Sequence, residues 1–268
     1  MDRRVEPSTI SPHRRLAAAL AGARSRIGRR AAPAAQPVWN GAMSRCLVVA
    51  LVAALLVGFA DEAIIRAVRG SQEPAIRFMA WITNIGKSQW YLVPAAIVFL
   101  AVGLYDWSLG GMRAKVRLAF LFGQAAYVFS AVALSGIFVN IVKVLFGRTR
   151  PGLIDQFGAW HFDPLSFGYD YASFPSGHST TVGAIAGILI VWFPRWAIVI
   201  VELGLFFAAT RVAALAHYPS DIVTGFTVGL FFAIVIARWL ARRGVLFRFV
   251  PGKTIPATVL FSGSKSGS

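Results

Sequence analysis

The stretch LAFLFGQAAYVFSAVALSGIFVNIV, residues 118–142, ends at the cationic segment Lys143-Val-Leu-Phe-Gly-Arg148-Thr-Arg150-Pro151. An apolar run of this length is what a helix needs to cross a hydrocarbon core of ~30 Å, and a lysine at its end marks the membrane boundary. The whole chain agrees: 57% of its 268 residues are hydrophobic, only 14% are charged, and the mean hydropathy is +0.64. Soluble globular domains are less apolar and more charged. A net charge of +16 would otherwise raise nucleic acid as a partner. Here the cations flank apolar runs, so membrane orientation accounts for them and no nucleic acid is implied. The single cysteine, Cys46, excludes an intramolecular disulfide.

Outward from residues 118–142, further spans are expected at about residues 44–60, 90–105, 179–193, 196–209 and 219–240. The predicted fold is an all-α polytopic membrane bundle of six transmembrane helices. Residues 61–89 mix charges with apolar residues at spacings of three and four, a pattern for short interfacial helices. Three regions follow: a basic tail over residues 1–43, a membrane domain over 44–241, and a flexible tail over 242–268. The first tail is read as disordered and solvated, the rival for its residues 12–30 being a basic amphipathic helix. Translation from Met43 and signal cleavage after Gly58-Phe59-Ala60 are alternatives there, but the basic region is longer than signal peptides carry. Glu202, in mid-span, is expected to face the bundle interior.

Six spans put both termini on one side. That side then holds 19 of the 27 Lys and Arg residues, which makes it cytoplasmic in a plasma, or bacterial inner, membrane. Three polar clusters fall together on the opposite, periplasmic face. The first is Lys143, Arg148 and Arg150: arginine presents a planar fork to phosphate oxygens, and lysine adds a compact charge. The second, Ser173-Phe-Pro-Ser176-Gly177-His178, ends a loop and opens a helix, where Ser176 can cap, Gly177 lets a ligand approach the backbone, and free N–H groups favour an anion. The third is Arg211, His217 and Asp221. His217 and Asp221 are four apart, and a carboxylate on one ring nitrogen leaves the other free to attack.

The spacing, Lys143 then six residues to Arg150-Pro151, Pro-Ser-Gly-His at 175–178, and Arg211 then five residues to His217 and three to Asp221, resembles the type 2 phosphatidic acid phosphatase superfamily in its integral-membrane lipid phosphate phosphatase branch. The resemblance implies a helical bundle and a phosphatase acting on a phosphorylated membrane lipid, with no metal and no other cofactor. It implies His217 as nucleophile forming a phosphohistidine, Asp221 as its orienting carboxylate, and His178 as acid and then base. Lys143, Arg150, Ser176, Gly177 and Arg211 would hold the phosphate oxygens. Arg148, within the motif's variable stretch, is carried over as a further phosphate ligand. Thr210 stands where the family has serine, which keeps the hydroxyl.

The aromatic-rich residues 152–174 are expected at headgroup level, with His161 structural or interfacial. Two other activities share these residues: a lipid phosphotransferase using the same phosphohistidine, and a lipid-phosphate-binding membrane protein without catalysis. Two histidines beside the cations argue for chemistry over binding alone. A soluble haloperoxidase with a similar site conflicts with the apolar spans. Phosphatidic acid, phosphatidylglycerol phosphate, undecaprenyl diphosphate and lipid A phosphates all fit as substrate.

Overall fold

The computed structural model describes residues 11–28 and 36–259. In chain order its helices are α1 (Pro12–Ile27), α2 (Gly41–Gly58), α3 (Asp61–Gly70), α4 (Pro74–Ile82), α5 (Gln89–Leu104), α6 (Met112–Phe146), α7 (Ile154–Phe157), α8 (Gly177–Trp192), α9 (Ala197–Ala213) and α10 (Pro219–Arg242). A 3-10 turn, Thr83–Gly86, joins α4 to α5. Two short antiparallel strands, β1 (Phe247–Arg248) and β2 (Ala257–Thr258), follow α10.

Among the described residues five helical stretches are long and apolar enough to cross a membrane: Gly41–Gly58, Pro74–Leu104, Met112–Phe146, Pro194–Ala213 and Pro219–Arg242. Large apolar side chains such as Leu56, Ile97, Ile141 and Ile198 stay exposed on them, as on a lipid-facing surface. The chain is an integral membrane protein. The remaining expected span, at residues 179–193, corresponds to α8, an apolar helix of only 16 residues. At 1.5 Å per residue it falls short of the hydrocarbon thickness, and it is the most enclosed helix, walled in by α6, α9 and α10. Residues 61–70 form one short amphipathic helix of the kind expected, whereas α4 runs almost directly into α5.

Lipid tails are as apolar as leucine, so packing and not water exclusion must hold membrane helices together, and small residues allow the closest approach. The α8–α10 pair, the largest contact in the molecule, uses this. A Cβ added to Gly229 would lie 1.9 Å from the Thr180 carbonyl oxygen. Gly229→Ala therefore has to part the two helices, at a cost of about 3 kcal/mol or more. Its thermal midpoint in detergent should fall by several degrees, whereas Gly136→Ala, with nothing within 4 Å, should leave it unchanged.

Three further expectations change. Glu202 lies on the exposed face of α9, because Gly204 and Ala208 take the inward positions and a residue two before Gly204 points the other way. Residues 243–259, expected within a flexible tail, fold back on the bundle: Phe247 is fully buried against Tyr127. Arg238 ties this region down by donating to the carbonyls of Pro37, Val38 and Thr254. The N-terminal segment, expected as a tail with a helix as its rival, forms α1 over Pro12–Ile27, packed on α5. Residues 1–10, 29–35 and 260–268 of the two proposed tails lie outside the described residues.

Candidate active site

All three clusters meet at one end of the bundle, at the C-terminal ends of α6 and α9 and the N-terminal ends of α8 and α10. Gly147 ends α6 in the left-handed conformation, φ +59°, and a Cβ there would run into the Asp163 carbonyl. Residues 147–150 then zip onto the following loop: Thr149 N–H donates to His161 O, Arg150 N–H to Asp170 O, and Ser173 N–H to Arg148 O. Phe167 and Tyr169 stand exposed on that loop, and His161 stacks on Phe157.

His217 sits between α9 and α10, buried to 2% exposure. Its Nδ1 is 2.8 Å from the Ser173 carbonyl oxygen. A carbonyl only accepts, so Nδ1 carries the proton and Nε2 keeps its lone pair. Burial, opposed by the nearby Asp221 carboxylate, lowers the imidazole to about 4, so it is neutral at pH 7. The expected direct Asp221–His217 bond is not what is seen: the shortest approach is 3.7 Å, beyond hydrogen-bond range. Asp221 Oδ2 instead accepts from the Ser173 hydroxyl at 2.6 Å and the Tyr218 N–H at 2.9 Å. Asp221 thus faces His217 without bonding it, and the two share Ser173, which Asp221 bonds at the side chain while His217 uses the carbonyl.

Arg148 departs furthest from expectation. It is 1% exposed, and all five of its N–H groups are taken: by Ala159 O twice, Ser220 Oγ, Asp221 Oδ1 at 2.6 Å and Asp61 Oδ2 at 2.8 Å. The Tyr218 ring stacks on its guanidinium. Arg148 has no donor left for a phosphate; it is a buried clamp on two carboxylates. Attraction to these carboxylates strengthens its proton affinity against the effect of burial.

The other expected ligands surround a common space. Lys143 and Arg150 both donate to the Ala172 carbonyl, and Arg150 also reaches Tyr169 O and Ala216 O. A Cβ on Gly177 would come 3.9 Å from Lys143 Cε, which places the first turn of α8 beside that lysine. Ser176 caps α8, accepting from Ser179 N–H and Ser179 Oγ, so only its own hydroxyl proton remains to offer. Its N–H donates to the Asp221 carbonyl, joining α8 to α10. Arg211 donates to Thr83 Oγ1 at 3.2 Å, while its Nε and the His178 Nε2 are buried without a partner. Buried polar atoms are almost always satisfied, so two orphans in one place mark where a ligand belongs. Burial, with the positive charges of Arg211, Lys87 and Lys143 nearby, lowers the His178 imidazole to about 3, so it is neutral at pH 7. Sequence reasoning missed Thr83, in the 3-10 turn, Lys87, directly after it, and Asp61.

Residues 124–244 match the model of the PAP2 superfamily. A lipid A 1-phosphatase of Rhizobium johnstonii is 33% identical over 206 residues, 77% of this chain and 84% of that protein. The chain belongs to the PAP2 superfamily. It is an integral-membrane phosphatase, a phosphoric ester hydrolase. A second relative, a lipid A 1-phosphatase of Rhizobium etli, is 34% identical over 170 residues, 63% of this chain and 73% of its own length. The crystal structure of a transmembrane PAP2-type phosphatidylglycerolphosphate phosphatase from Bacillus subtilis aligns at a TM-score of 0.45 and 20% identity, covering 70% of this chain and 92% of that one. Every residue expected at the site lies in the PAP2-matched segment, and Asp61, Thr83 and Lys87 lie before it.

Proposed function

We propose that this PAP2 phosphatase hydrolyses the phosphate of a membrane glycolipid of the lipid A type through a phosphohistidine on His217, with its active face away from the cytoplasm. Chief support comes from the His217 tautomer: a neutral, buried imidazole with its proton fixed on Nδ1 by a carbonyl has its Nε2 lone pair ready. Nε2 attacks phosphorus and the bond from phosphorus to the lipid oxygen breaks. His178, which takes up a proton as the anionic phosphate enters beside it, gives that proton to the leaving oxygen. Water then attacks the phosphohistidine, passes a proton back to His178, and inorganic phosphate leaves as the P–N bond breaks. Arg211, Lys143, Arg150, the Gly177 N–H and the Ser176 hydroxyl hold the oxygens on which charge builds. The 33–34% identity to two lipid A 1-phosphatases favours lipid A among the lipid phosphates. The cations at residues 113–117, 195 and 242–243, at the far end of the bundle, support cytoplasmic termini.

Phosphate release in nanodiscs tests this, with lipid A, phosphatidic acid, phosphatidylglycerol phosphate and undecaprenyl diphosphate as substrates. Lipid A is expected to turn over fastest, with no loss in chelator, since fixed cations supply the charge. Faster turnover of another lipid refutes the substrate, and a divalent requirement refutes the mechanism.

A further inference from the structure

Three charged side chains lie end to end behind His217. Asp61, the first residue of α3, is fully buried, and its Oδ1 accepts from the Ser220 N–H at 2.9 Å. Its Oδ2 accepts from the Ser220 hydroxyl and from Arg148 Nη2 at 2.8 Å. Arg148 Nη1 then reaches Asp221 Oδ1 at 2.6 Å, and the far oxygen of Asp221 is the one 3.7 Å from His217 Nδ1. One guanidinium therefore serves two carboxylates.

A neutral Arg148–Asp221 pair would suffice to tie this loop to α10, and burying an unmatched charge is costly. The surplus negative charge has a neighbour that could use it. His217 becomes cationic when its Nε2 takes a phosphoryl group, and at low dielectric a carboxylate a few ångströms away stabilises that cation strongly. Its value depends on what Arg148 does. With Asp61 present the guanidinium is shared; without it, Arg148 would neutralise Asp221 alone. Burial is the larger influence and raises the Asp61 carboxyl above its usual range, while the hydrogen bonds from Ser220 and Arg148 oppose it and favour the carboxylate.

We propose that Asp61 is a positioning residue for the phosphorylation of His217: by engaging the outer edge of Arg148 it keeps the charge of Asp221 available to the imidazole. This rests on His217 being the nucleophile. It adds a residue outside the PAP2-matched segment, contributed by a short helix that carries none of the other proposed groups.

The test uses full-length protein in nanodiscs and lipid A labelled on its phosphate, with quench-flow measurement of label on His217. Wild type must give acid-labile label at that position; its absence refutes the phosphohistidine and leaves no step for Asp61 to assist. Given the label, Asp61→Asn should slow phosphorylation and kcat on the order of tenfold, with KM within about twofold. The rate constant of a single turnover does not depend on how much protein is folded. Adding Arg148→Gln to Asp61→Asn removes the cation that now masks Asp221, and should recover rate several-fold. Wild-type phosphorylation in Asp61→Asn overturns the proposal, and so does a double variant slower than the single. If Asp61→Asn does not fold, the double variant is compared with wild type, and a phosphorylation rate more than about a hundredfold lower overturns it.

Discussion

His217→Ala is expected to reduce phosphate release from lipid A by at least roughly a thousandfold while leaving equilibrium binding of inorganic phosphate within a few-fold of wild type. The reason is a division of labour in the site. The positive side chains that would hold phosphate, Lys143, Arg150 and Arg211, come from three separate elements, and none of them bonds to His217. Truncating the neutral imidazole removes the bond-forming atom and leaves those cations in place. It also frees the Ser173 carbonyl, a loss near 1 kcal/mol that does not explain a thousandfold effect. Because burial holds this histidine near 4, the wild-type nucleophile needs no base to deprotonate it at neutral pH. Near-normal turnover in His217→Ala would remove the proposed nucleophile; loss of phosphate binding in step with turnover would show a collapsed pocket.

How much of this was readable in the chain differs by residue. Helices α2, α5, α6, α9 and α10 were legible because long apolar runs ending in charges or aromatics have one outcome in a bilayer. The site's inventory was legible because each cluster sits at a run's edge, so the count of crossings brings all three together. The enclosure of α8 by α6, α9 and α10 was not, since apolar character reports burial and cannot tell lipid from neighbouring helices. Nor was the Ser173 carbonyl as the partner of His217: a backbone acceptor carries no sequence signal. Arg148 was misread because a cation two residues from Arg150 looks like part of the same phosphate clamp, while its partner Asp61 lies 87 residues earlier in a segment read only as interfacial. Charge pairing over such a separation is fixed by tertiary packing alone.

Arg148→Met should be the most destabilising single change at this end of the bundle. Removing one partner of a buried ion pair strands the other, at about 3–5 kcal/mol, and here two carboxylates are stranded at once, Asp61 and Asp221, both fully buried. The thermal midpoint in nanodiscs should fall well below that of Lys143→Met, which gives up a single bond to the Ala172 carbonyl. The same reasoning predicts a recovery. With Asp61→Asn and Asp221→Asn added to Arg148→Met, no buried charge is left unmatched, and most of the lost stability should return. Activity should not return with it, because the carboxylate facing His217 is gone. If Arg148→Met proves no less stable than Lys143→Met, then water reaches this cluster and its charges are screened. A stable triple variant that still turns over lipid A at the wild-type rate would show that the cluster holds the fold and leaves the imidazole to act unaided.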